Sequence, residues 1–114
     1  MNKEQLINTI YEQLDCKEPQ TKEIIKHFLS DIQLFDKKQS DYGPSNISKF
    51  GILGVLIRSS DKIERLINLY GNATLKGTGT PTAKNTNESV IDSWQDLTVY
   101  GAIARTVDEG KWNV

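Results

Sequence analysis

ISKFGILGVLIRSSDKIERLINLY, residues 47–70, is the stretch whose reading decides the fold. Wound as a helix, its first half is apolar nearly all round, with Ile47, Phe50, Ile52, Leu53, Val55, Leu56 and Ile57. Only a helix covered by several neighbours reads that way. The spacing predicts one helix from about Ile47 to Tyr70, with Gly51 and Gly54 allowing close approach of a second helix.

Working outward, SDYGPSN (40–46) is a forced turn, because the residue before proline avoids the helical region. Before it, Ile24, Ile25, Phe28, Leu29, Ile32 and Phe35 make an amphipathic stripe on a helix from about Thr21 to Lys38. Residues 16–20, with Pro19, break the chain. A first helix carries Leu6, Ile7, Ile10, Tyr11 and Leu14, with Asn2 and Gln5 as a capping pair. After Tyr70, residues 71–86 are rich in Gly, Thr, Asn and Pro and read as a long loop. A last helix is expected from about Asn87 to Val107, and Trp112 in the tail should dock on the body. No strand alternation and no internal repeat are present. The reading is an all-α single domain over 1–114, a bundle of about four main helices completed by oligomerisation.

Composition narrows the function. The chain has 114 residues, 37% hydrophobic and 25% charged, with a formal net charge of −1. No concentrated basic character supports strong nucleic-acid binding, whereas a small phosphorylated ligand stays compatible. Cys16 is the single cysteine and reads as a bystander at a helix end. The lone histidine, His27, reads as a surface or boundary residue. The polar start MNKEQLINTI lacks a signal-peptide core, and no apolar run reaches membrane-spanning length. A cytoplasmic protein is expected.

The carboxylates are the functional lead. Glu88, Asp92 and Asp96 lie four residues apart on the last helix, so they share one face. Like charges at that spacing destabilise a helix by roughly 0.2–0.5 kcal/mol per pair. Val99 and Ile103 continue that face into core, while Val90, Trp94, Leu97, Gly101 and Ala104 form the main apolar stripe roughly opposite. On the preceding helix, the stripe Phe50, Leu53, Ile57 leads to Asp61 and Glu64, which are expected near the interior. An isolated buried carboxylate must be paired, neutralised or coordinated. Oxygen ligands without Cys or His suit Mg²⁺ or Mn²⁺. The plainer alternative pairs Asp61 and Glu64 with Arg58, Lys62 and Arg65 at the surface. Glu88, in a first turn, is equally well a dipole cap.

KKQSDYG (37–43), GILGVLIRSSDKIERL (51–66) and ESVIDSWQDLTVYGAIA (88–104) together resemble the nucleotide-modification-associated domain family of phage and bacteria. That family sits among the all-α nucleoside triphosphate pyrophosphohydrolases, with the MazG-like enzymes and dimeric dUTPases. The resemblance covers about residues 30–106. It implies a metal pair at Asp61 and Glu64 and a second at Asp92 and Asp96, together holding Mg²⁺ (or Mn²⁺). It implies a nucleotide side formed by Lys38, Asp41, Tyr42 and Asn46, and it implies a homodimer or homotetramer. The chain departs from the pattern in starting the first pair with Asp, in spacing the second i, i+4, and in Gly101.

The expected function is therefore Mg²⁺-dependent nucleotide binding with pyrophosphohydrolase chemistry. Glu64 would orient or deprotonate the attacking water, and Lys37 and Lys38 would neutralise phosphate. The alternatives are a nucleotide-binding module without turnover, in a bacterial or phage-infected cell, and a structural bundle whose acids are only solvated.

Overall fold

The computed structural model describes residues 1–71 and 90–112. Among these residues lie five helices and no strand: α1 (Lys3–Gln13), α2 (Thr21–Tyr42), α3 (Ser45–Ser48), α4 (Gly51–Tyr70) and α5 (Val90–Asp108). The protein is all-α with four main helices, α3 being a single turn. The expected loop at 71–86 lies, apart from Gly71, outside the described residues, as do Glu88 and the expected helix start at Asn87. No helix among the described residues is long and apolar enough to cross a membrane.

The local signals act as their chemistry dictates. The Asn2 side chain accepts from the Gln5 backbone N–H at 2.8 Å, and Gln5 returns the bond to the Asn2 N–H at 2.9 Å. Two of the orphan donors at the start of α1 are thereby satisfied. α2 begins at Thr21 as expected but runs one turn past Lys38, to Tyr42, and stops at Gly43, whose φ of 75° admits only glycine readily. The single helix expected from Ile47 is instead two. α3 holds Ile47, and the chain restarts at Gly51 with φ 57°. That conformation, more than close helix approach, is what Gly51 supplies. Gly54 makes room locally: a Cβ there would stand 2.9 Å from Cβ of Phe50, in the turn before it.

α4 packs chiefly on α5, α2 crosses α5, and α1 lies against α2. The core is Ile47, Val55 and Ile103, with Phe35, Val99, Tyr100, Ala104, Val107 and Trp112 packed around it. Trp112 docks as expected. Its ring meets Phe35 edge-on at 6.3 Å and its Nε1 donates to the Pro44 carbonyl at 2.9 Å. The α5 face bearing Asp92 and Asp96 does run into core at Val99 and Ile103, whereas Trp94 and Gly101, on the stripe taken for the main one, are exposed.

The expected inner face of α4 is overturned as well. Phe50, Leu53 and Ile57 are exposed, and so are Asp61 and Glu64. The inward face of α4 is Val55, Arg58, Lys62, Leu66 and Leu69. Each residue turns the helix by about 100°, so the step from Asp61 to Lys62 carries the chain from the outer face to the inner one. α4 is apolar on both sides, and its periodicity alone could not say which side was covered. With few buried apolar residues among those described, each should count. Ile103→Ala is expected to lower unfolding free energy by about 2–4 kcal/mol in urea titration.

Candidate functional site

α2, α3, α4 and α5 line a partly open cavity of about 390 Å³, within the range of small-molecule sites. One part of its wall is apolar: Leu34, Phe35, Ile47, Val99 and Ile103. The other part is charged. α2 contributes Lys38, α4 contributes Arg58 and Lys62, and α5 contributes Asp96. Arg58 and Lys62 reach the same space because they lie one helical turn apart on the inward face. Lys38 reaches it because α2 continues unbroken through residues 38–42.

Asp96 is the junction. Lys62 Nζ stands 2.9 Å from one of its oxygens and Lys38 Nζ 3.5 Å from the other. The Asp96 side chain is 19% exposed and that of Lys62 21%, so this bridge is shielded more than an ordinary surface pair. One turn earlier on α5, Ser93 is fully buried and its Oγ accepts from Arg65 Nη1 at 2.8 Å. The loop wall is fixed by two residues. Gln39 Nε2 donates to the Gly43 carbonyl at 2.6 Å and to the Asn46 side chain at 2.9 Å, while Arg58 Nη2 donates to the Asn46 carbonyl at 3.1 Å. Tyr100 is held beside this charged wall. Burial first, then the Asp96 carboxylate, pushes its phenol up from 10.0, against the opposite pull of Lys62 and Arg58.

The residues singled out in the sequence divide cleanly. Lys38, Tyr42, Asn46 and Asp96 line the cavity. Lys37 and Asp41 are exposed and do not line it. Asp61 and Glu64 stand on the outer face of α4, and Asp92 is half-buried on α5 outside the cavity wall. Among the described residues the donor set for a Mg²⁺ ion is therefore incomplete. Asp96 is engaged by two ammonium groups, and among the described residues no three of His, Cys, Asp and Glu are grouped to hold a metal.

Sequence reasoning missed Arg58, Lys62, Gln39, Tyr100 and Asp31 as cavity residues. Arg58 and Lys62 carried a usable signal, two cations at i, i+4 on an apolar helix. Asp31 carried another, an acid inside the stripe of Ile24, Phe28 and Phe35.

Against protein-family models, curated proteins and solved structures, the chain finds no match.

Tyr100 gives a pH signature. Its raised pKa means the folded state keeps the phenolic proton to higher pH than the unfolded chain does. Stability is fully present below pH 10.0 and falls as pH rises from there toward the folded pKa. Tyr100→Phe should remove that part of the alkaline loss, read as a shallower fall in thermal midpoint above about pH 10.

Proposed function

We propose that this protein binds a nucleotide or closely similar phosphorylated small molecule in the α2–α5 cavity. The observation that carries the reading is the convergence of Lys38, Arg58 and Lys62 on a cavity whose remaining wall is apolar and aromatic. Cations aimed into a sheltered space suit phosphate oxygens. Phe35, Leu34, Val99 and the phenol rings of Tyr42 and Tyr100 offer a surface for a base. Binding without turnover is favoured over pyrophosphohydrolysis, because the carboxylates that would hold Mg²⁺ are split between the outer face of α4 and a lysine-bridged position on α5. The cytoplasm of a bacterial or phage-infected cell is the compartment this reading fits.

Isothermal titration with pyrophosphate and a panel of nucleoside mono- and triphosphates tests it, in Mg²⁺ and in EDTA. Saturable binding is expected in both buffers, weakened at least about ten-fold in Lys38→Ala and in Lys62→Ala, the scale of one lost charge-assisted contact. Asp96→Asn separates the two roles of that carboxylate. As a lysine partner it competes with phosphate, so its removal should tighten pyrophosphate binding about five-fold, on the order of 1 kcal/mol. As a metal ligand its removal would weaken nucleotide binding in Mg²⁺ and abolish any pyrophosphate release.

Self-association is part of the same reading. The outer face of α4 exposes Leu53, Leu56, Ile57, Ile63 and Ile67, and α2 exposes Ile24, Phe28 and Ile32. Large side chains in such numbers mark an interface, and a second copy of this chain is the proposed cover, as a dimer or tetramer. Light scattering should give a multiple of 12.9 kDa, and Leu56→Glu should return the mass to that of one chain with the helical spectrum intact. A wild-type monomer at high concentration rules this out.

A further inference from the structure

One buried charged group in the cavity is unused by the phosphate-binding reading. Asp31, on α2, is only 7% exposed and lines the cavity. Among the described residues its side chain has no hydrogen bond or ion pair, and no buried side-chain oxygen or nitrogen is left both unpartnered and shut off from open space. The unpartnered Asp31 oxygens therefore keep some access, and Asp31 is part of the cavity lining. A carboxylate taken out of water without a partner carries a desolvation cost that no hydrogen bond or ion pair among the described residues offsets. Such a group is ready for a partner brought from outside.

Its place on α2 says what that partner is. Asp31 and Lys38 both line the cavity and lie seven residues apart, two turns, which is about 10 Å along the helix. Leu34 and Phe35 lie between them and make the apolar wall. The cavity thus has an acceptor-only anion toward one end and the cations Lys38, Arg58 and Lys62 toward the other. We infer that Asp31 is a recognition residue for the non-phosphate end of the ligand, accepting from two adjacent N–H or O–H donors. A carboxylate presents two oxygens side by side and suits paired donors. A nucleotide carries such pairs in two places: the vicinal hydroxyls of ribose and the imino–amino edge of guanine. This rests on the nucleotide-binding reading and narrows its ligand class to those bearing a donor pair about 10 Å from the phosphate-binding lysine.

The test is isothermal titration of the full chain in EDTA with four probes: pyrophosphate, guanosine monophosphate, inosine monophosphate and 2′-deoxyguanosine monophosphate. The guanosine–inosine comparison reads the base edge, since inosine lacks the amino group. The guanosine–deoxyguanosine comparison reads the sugar. The wild type is expected to prefer the probe with the intact donor pair about ten-fold or more in one arm, the scale of a hydrogen bond to a charged group. Asp31→Asn, which keeps shape but replaces one acceptor by a donor, should bring that preference within about three-fold. Its pyrophosphate affinity should be unchanged and its thermal midpoint equal or higher, because an unpartnered buried charge is removed. Asp31→Glu, which displaces the carboxylate by one methylene, should cut the same preference and also leave pyrophosphate alone.

Three results overturn the inference while leaving phosphate binding standing. They are no wild-type preference in either arm, a preference that survives both variants, and a variant that loses thermal stability and all four affinities together, which marks a structural role. A wild type that binds none of the probes removes the nucleotide reading itself, and this inference with it.

Discussion

The seam between α4 and α5 is the constraint on which the rest depends. It is apolar where Val55 meets Ile103, and it carries two polar stitches farther along, Arg65 to Ser93 and Lys62 to Asp96. These stitches fix the rotation of α4 more sharply than its apolar residues do, since Ile or Leu occurs on every side of that helix. Burying a serine and shielding an aspartate without partners would be unfavourable, so the phase that pairs them is strongly preferred. Once that phase is set, Arg58 and Lys62 must face inward and Asp61 and Glu64 must face out.

The cavity follows from the same choice. α2 crosses α5 where Lys38 reaches the far oxygen of Asp96, so a single carboxylate joins three helices. It holds two ammonium groups close to each other, an arrangement their mutual repulsion would otherwise oppose. On the proposed reading an incoming phosphate would have to displace Asp96 from the lysines, but would find Arg58 already braced against the Asn46 carbonyl and the 43–46 turn held by Gln39. Preorganisation of this kind lowers the ordering cost of binding.

The outer face is the counterpart of the inner one. Phe50, Leu53, Leu56 and Ile57 are as apolar as the residues that pack on α5, and in one chain they meet solvent. The sequence reading that a helix apolar all round needs several neighbours was sound as physics. The expected place of Asp61 and Glu64 near the interior is not met within one chain, where both are exposed. Asp61 and Glu64 share their face with the exposed stripe, so an assembly of copies would decide their surroundings.

The sequence by itself determined the four main helices and most of their approximate limits, the cap at Asn2, the break at Pro19 and the turn before Pro44. These depend on spacing, backbone freedom and local hydrogen bonds, all of which lie within a few residues. It also marked Asp96 and the passage of the Asp92–Asp96 face into core, while Lys38, Tyr42 and Asn46 were implied only by the family resemblance. Only the tertiary structure decided which side of α4 is inward. It thereby showed that Asp96 meets lysines, that Arg58 and Lys62 belong to the cavity, and that Asp31 stands buried in its wall. Periodicity fixes which residues share a face. Which face is covered depends on contacts between helices distant in sequence, and a helix apolar on both sides leaves that choice to its partners.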